Sequence, residues 1–459
     1  MKRILSILLA MAMIFALYAC GDPGDTAKDP DPAPAGTEIP KKHLPIRESD
    51  DVEKDTEETK DDDVSNLEPL VEPMRYDLAM DFASRLTAYV ESEVYHDLDY
   101  IISPVSLRAA MCLAIAGADG DTLDGLLKAA DFQSESDAAE WLGRILASVD
   151  SFNEIAEMDD KFAADYGMTA PGRAFRLANA VWNNGDISVP FREDYIRTVT
   201  ESYHAAAMES GRDTITDDVN AWCNDQTGGM IPSIASDLSN TPAILLNALY
   251  LKSAWTDTFS ESNTYEGDFT CPGGPVTQVD YMTRTETMRY YDDGRSAWGI
   301  LDLEGGKALM VRLRSDDGTW CDPWEFLQVY DKLSSRLVHL VIPKLDIESA
   351  FSGDILCGFL ATMGAGDAFD PGKADFTRMA DSEWFISDIA QKAKLKTDEE
   401  GLEAAAVTAI MMMDSMAMVD PEEPVDLILD RAFSFVILDT AIENGPEVLF
   451  AGQFTGIAG

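Results

Sequence analysis

Apolar side chains recur at helical spacing over residues 75–92, where Tyr76, Met80, Phe82, Leu86 and Tyr89 fall on one face. The same spacing returns over 103–116 and 122–130. Ser103-Pro104 reads as a helix start, a capping hydroxyl followed by a proline in the first turn. Farther along, short runs rich in branched and aromatic residues predict strands at 175–183, 243–251, 308–313, 337–343, 425–429 and 433–439. Helices dominate early and strands late, so the predicted class is α+β rather than an alternating parallel sheet. Residues 74–459 contain no repeat and no second linker, and are expected to form one large domain.

The first 73 residues follow different rules. Residues 1–20 open with Lys2 and Arg3 and continue through an apolar run from Ile4 to Tyr18. That run is shorter than the roughly 20 residues a bilayer span needs, so it reads as a secretory signal. It ends Leu17-Tyr18-Ala19-Cys20-Gly21, which resembles a bacterial lipobox, with Cys20 as the lipidated first residue of the mature chain and several acyl chains as a stable anchor. Ala19 fits that pattern and Tyr18 is bulkier than it usually carries; an ordinary cleaved signal with an incidental cysteine is the other reading. Residues 21–73 hold six prolines between Pro23 and Pro45, and ten of the sixteen residues from Glu48 to Asp63 are acidic. Such a stretch cannot bury enough apolar surface to offset its ordering entropy, so it is expected to be an extended, disordered spacer.

The chain carries 83 Asp and Glu against 35 Lys and Arg, a net charge of −48. The linker contributes 17 acids and 6 bases, so most of the acidity belongs to the folded part. This balance excludes a nucleic-acid binder, which needs positive charge to displace counterions, and electrostatic docking on anionic lipid. Four histidines leave few candidates for histidine catalysis or a metal site, and neither metal nor cofactor is expected. The six cysteines show no C-x-x-C pair, and with Cys20 set aside an odd five remain, which argues against a disulfide framework. No nucleophile elbow, S-x-x-K, H-E-x-x-H, G-x-G-x-x-G or Walker sequence occurs. Gly305-Gly306-Lys307 lies between apolar runs and reads as a hairpin turn.

Residues 397–424, TDEEGLEAAAVTAIMMMDSMAMVDPEEP, carry two meanings at once. By propensity the middle is a Met-rich helix. At period two, Leu402, Ala404, Ala406, Thr408, Ile410 and Met412 share one uncharged face, and Glu403 falls on the other. The segment can therefore enter a sheet as a middle strand without burying a charge, with small alanines at its start, Gly401 as a hinge of free dihedrals, and Pro421 and Pro424 where pairing must stop.

The stretch from Asp398 through Glu399, Gly401, Leu402, Glu403, Ala404, Ala405 and Ala406 to Thr408 resembles the proximal hinge of a serpin reactive-centre loop. Ser103-Pro104-Val105-Ser106 resembles the family's shutter motif, and Leu246-Asn247-Ala248-Leu249-Tyr250-Leu251-Lys252 with Trp255 resembles its third strand, bearing the shutter Asn and breach Trp. Asp367-Ala368-Phe369, Ala374-Asp375-Phe376, Phe433 to Val436 and Val448-Leu449-Phe450 resemble further landmarks, so the likeness covers nearly all of 74–459.

The resemblance implies one domain of three β-sheets and eight or nine helices with an exposed loop, acting as a monomeric suicide inhibitor rather than an enzyme. The expected partners are serine proteases of elastase, subtilisin or chymotrypsin type, with papain-like cysteine proteases as a further class. Serpin loop insertion is an established instance of strand addition and of strain release. Counting forward from Gly401 by the family's spacing puts the scissile bond at Ser415-Met416, with Met413, Asp414 or Met416 as alternative cleaved residues. Counting back from Phe433 gives a position near Pro421, so the loop is about six residues longer than the commonest pattern against a fixed strand register. Two departures stand out: Leu402 replaces a Thr at the first inserting position, and Gln391 replaces a shutter His, removing a titratable group. Leu402 and the lengthened loop leave open a non-inhibitory surface protein whose loop is cut without trapping; a hydrolase unrelated to the family rests only on Ser-rich loops. The expected location is outside the cell, at a bacterial surface through Cys20 or free.

Overall fold

The computed structural model describes residues 81–458 apart from 169, 171, 317–320, 352, 388, 403–422 and 444. The described residues begin with α1 (Phe82–Val90), capped by Asp81, whose carboxylate accepts from the Ser84 N–H at 2.8 Å. The helix widens into a π turn over Glu91–Tyr95, so helical structure reaches past the boundary expected at 92. Then follow β1 (Tyr100–Ile102), α2 (Pro104–Gly117), α3 (Gly120–Ala129), α4 (Glu135–Asp165), β2 (Ala174–Asn184), α5 (Glu193–Ser202), β3 (Ala206–Ser210), α6 (Ile215–Gln226) and β4 (Ala243–Ala254). The second half contains β5 (Tyr265–Thr270), β6 (Val276–Asp292), β7 (Ser296–Leu303), β8 (Lys307–Arg314), α7 (Pro323–Tyr330), β9 (Ser334–Pro343), β10 (Asp346–Phe351), α8 (Gly353–Leu360), β11 (Gln391–Lys396), β12 (Gly401–Leu402), β13 (Val425–Ile428), β14 (Phe433–Asp439) and β15 (Glu447–Phe454).

Among the described residues these strands make three sheets. Nine strands form one, in the order β1-β15-β14-β8-β7-β6-β9-β13 with β5 on β6. Four form the second, β12-β4-β2-β3, and β10 and β11 form the third. Helix α2 runs through the middle, and every residue of it except Arg108 and Ala110 is buried, as an all-round apolar helix requires. The Arg108 guanidinium lies over the Trp141 ring at 4.4 Å and the Phe132 ring at 4.5 Å, which spends its charge on aromatic faces.

Gly305-Gly306 forms the turn between β7 and β8, both glycines at positive φ (70° and 69°), as the sequence predicted. The next residue, Lys307, is buried. Its ammonium sits 3.0 Å from the Asp439 carboxylate, with both side chains fully enclosed. The five cysteines beyond Cys20 are all free.

Candidate functional site

Two hydrogen-bonded strands, β4 and β11, flank the N-terminus of α2, and no β-ladder joins them to each other among the described residues. Each is instead tied to the helix start. Ser103 caps α2: its hydroxyl accepts from the Ser106 N–H at 3.1 Å and donates to the Leu449 carbonyl at 2.8 Å. Pro104 follows in the first turn. From β4, Asn247 accepts from the Ser106 hydroxyl and donates to Asn179 Oδ1 of β2 at 2.6 Å. From β11, Gln391 grips the Ser103 main chain twice, donating to its carbonyl at 2.9 Å and accepting from its N–H at 3.1 Å. An amide can make both bonds at once, which is how Gln391 serves where a ring nitrogen was the family's expectation.

Below the top of this gap runs a narrow slot lined by Leu249 and Leu251 of β4, Leu395 of β11, and Ile437 and Phe450 of the nine-stranded sheet. Leu402 also lines it and is 2% exposed. Residues 401 and 402 already pair with β4, antiparallel, with Gly401 opposite Ala254 and Leu402 opposite Ser253. Leu402 also bridges to Thr397 on the other side. Leu402, expected from the sequence to be the first inserting residue, thus already sits in the sheet.

Gly401 was expected to supply free backbone dihedrals, and the structure gives it another role. Its φ is not in the left-handed region. A Cβ there would overlap the Ser253 carbonyl oxygen and lie 2.7 Å from Ala254 Cα, so glycine is required because two backbones touch.

The turn from β11 into β12 is fastened from several directions. Trp255 donates its indole N–H to the Asp398 carbonyl and its backbone N–H to the Glu400 carbonyl, both at 2.8 Å. The Phe259 N–H reaches the Glu399 carbonyl at 2.8 Å. Glu399, 9% exposed, accepts from the Lys344 ammonium at 2.8 Å and the Thr264 hydroxyl at 2.6 Å. Burial disfavours its charge, but the bonds from Lys344 and Thr264 prevail and hold its pKa below the ordinary value. Neighbouring Glu400 has its pKa raised, first by desolvation and then by the like charges of Asp398, Glu261 and Glu399.

Of the residues singled out in the sequence, Ser103, Pro104, Ser106, Asn247, Gln391, Trp255, Glu399, Gly401 and Leu402 are brought to this one gap. Ala404, Ala405, Ala406, Thr408, Ser415, Met416 and Cys20 lie outside the described residues. Sequence reasoning missed Asn179, Lys344 and Thr264. Asn179 left a signal, an amide in the middle of the strand-like run 175–183; Lys344 and Thr264 left none.

Fold and site together define a class: a mixed α+β protein whose sheet is parted at its centre, with the chain that could fill the gap already threaded into the opening. The chain belongs to the serpin family, since residues 77–456 match the family model described as Serpin (serine protease inhibitor). It is 25% identical over 401 residues to Serpin B10 of Sorex araneus, covering 82% of this chain and 96% of that protein. It is 25% identical over 374 residues to leukocyte elastase inhibitor of Xenopus tropicalis, covering 77% and 92%. Among solved structures it resembles Serpin48 of the insect Tenebrio molitor, described as a highly specific serpin, with a TM-score of 0.64 and 24% identity over 82% of this chain and 95% of that one. That structural likeness speaks for the fold alone. The family consists mostly of protease inhibitors.

Proposed function

We propose that this chain inhibits serine proteases by trapping: the protease cuts the loop after Ser415, is held as an acyl-enzyme, and is disabled as the freed strand enters the slot. The observation that carries this reading is the seating of Gly401 and Leu402 in the sheet, paired with β4 on one side and bridged to Thr397, just past β11, on the other. If insertion continues the register seen at residues 401 and 402, Glu403 would come opposite both Lys252 and Lys396 on the solvent side, and Thr408 opposite Asn247 and Gln391 on the buried side. A charge pair outside and a hydroxyl beside two amides inside suit a strand meant for that place. About a dozen inserted residues at roughly 1 kcal/mol net per hydrogen bond would supply a drive of order 10 kcal/mol, enough to distort a catalytic site. The uncut fold is then held kinetically.

The acidic, Pro-rich residues 21–73 and Cys20 complete the proposal as a spacer and a lipid anchor at a bacterial surface. Incubation with elastase-, subtilisin- and chymotrypsin-like proteases should give a covalent adduct that survives SDS, and a loop-cleaved chain should melt well above the intact one. Cleavage with no adduct and an unchanged melting temperature would instead favour a non-inhibitory surface protein, the reading that Leu402 and the long loop motivate. Radiolabelled palmitate should enter the wild-type chain in a bacterial host and be lost in Cys20→Ala.

A further inference from the structure

Over its last turns α4 is apolar on more than its buried side. Phe152, Ala156 and Ala163 face the body and are buried. Ile155, Met158, Phe162 and Tyr166 fall on an outward side and are exposed, from 46% for Ile155 to 68% for Met158. Met158, Phe162 and Tyr166 form one row in steps of four residues, with the Phe162 and Tyr166 rings 4.5 Å apart, and exposed Met168 follows just past the helix end. This end of the helix is fastened to the body. Asp159 pairs with Arg173, which also holds Glu304 at 2.7 Å, and the Asp160 carboxylate accepts from the Gly172 N–H at 3.2 Å.

A surface helix ordinarily turns polar side chains outward. At about 200 Å² for a large side chain left fully exposed, these five residues present on the order of 500 Å² of apolar surface. That is near the upper end of the roughly 300 to 600 Å² of the largest patch on a typical monomer, a size that marks interaction sites. A row of side chains four residues apart is the ridge that packs into the groove of a second helix. The border of the row is acidic. Glu154 stands four residues before Met158 and Asp165 three after Phe162, so both adjoin the row. Both are exposed, and neither has a cationic partner among the described residues. Lys161 is engaged by Glu157 at 3.2 Å.

We propose that this face of α4 docks a cationic amphipathic helix of another protein. The apolar side of that helix packs along Met158, Phe162 and Tyr166, and its Lys or Arg residues reach Glu154 and Asp165. Charge selects the occupant. A second copy would set these carboxylates against themselves under a net charge of −48, and residues 21–73 of the chain, with 17 acids and 6 bases, would be repelled in the same way. The surface does not depend on the chain being an inhibitor.

The probe that tests it is a fluorescein-labelled peptide of leucine and lysine, about 18 residues long so that it can hold a helix with one apolar face. Its anisotropy is followed as the full chain is added at about 0.15 M sodium chloride. A control peptide has the same residues in an order that leaves no apolar face. The expected result is one saturable site per chain, with the control at least tenfold weaker, because charge alone would hold both alike. Met158→Gln with Phe162→Gln keeps good helix formers and should weaken binding at least tenfold. Glu154→Lys with Asp165→Lys should do so without touching the apolar row. Equal binding of the two peptides, or an affinity unchanged in both double variants, overturns the proposal. So does light scattering that finds the full chain a dimer and the Met158→Gln, Phe162→Gln variant a monomer, since the occupant would then be a second copy.

Discussion

Glu91 follows α1 directly and is buried, its Oε1 accepting from the Tyr100 hydroxyl at 2.6 Å and the Cys321 N–H at 2.9 Å. Desolvation outweighs these bonds and raises its pKa from 4.5 to about 7. A raised folded-state value means that folding takes up a proton, so this stability is full below pH 4.5 and is lost as the pH climbs through about 7. The ionised form costs the fold about 3 kcal/mol at higher pH. Glu91→Gln keeps both bonds and removes the charge, so thermal melts should show a higher Tm at pH 8 and a flatter profile between about pH 5 and 8. No feature of the sequence marked Glu91, because its environment is assembled from Tyr100 and Cys321, far apart in the chain. Gly401 shows the opposite situation. The residue was legible, and only the reason for it was not, since close contact with Ser253 and Ala254 depends on register rather than composition.

At the scale of elements, β8 and β14 were readable because burial on both faces leaves continuous apolar runs such as Phe433–Asp439. Strands β2, β4, β9 and β13 were readable from runs of branched and aromatic residues, although Val425 and Asp426 of β13 are exposed. Strand β6 was not: along Val276–Asp292 exposed and half-buried positions alternate among Thr, Arg and Glu. Strand β11 hid behind Lys392, Lys394 and Lys396, whose alternation with Ala393 and Leu395 is the period-two signal a charge count obscures. The long α4 has its apolar stripe at Ala138, Trp141, Leu142, Ile145 and Val149, helical spacing that was present in the sequence and went unread. The shutter residues were legible as a set through family resemblance, and their bonding pattern was not, since Gln391 acts on the main chain of Ser103. Two predictions belong to β12. Leu402→Glu would bury a carboxylate in a site 2% exposed, so β12 should leave the sheet. Deuterium exchange at the amides of residues 401 and 402 should rise by at least tenfold, a loss of about 1.4 kcal/mol or more, while Leu402→Thr should keep them protected. Glu403→Lys would face Lys252 and Lys396 once inserted, and like charges directly opposite each other on neighbouring strands destabilise the pairing. Its adduct yield with a target protease should fall and its ratio of cleaved to trapped inhibitor rise; Lys252→Glu with Lys396→Glu should reverse both.

For the whole molecule the dominant quantity is the net charge of −48. Its carboxylates exceed the cations available to pair them, so the folded body repels itself, and a compact state is the one that suffers most from such repulsion. Added salt screens it over a Debye length of about 8 Å at physiological ionic strength. The Tm of the intact chain should therefore rise with sodium chloride, most steeply below about 0.15 M. The same field acts in the other direction on encounter. A negative surface draws a positively charged protease and speeds association, and that steering weakens as salt is added. Under the proposed function, stopped-flow association with a basic protease should slow as sodium chloride rises over the range in which the melting temperature increases. With an acidic protease of the same pocket specificity, association should quicken. Opposite salt slopes for the two enzymes, with melting rising in parallel, would trace both effects to the acidity of the body; equal slopes would mean that the loop alone governs recognition.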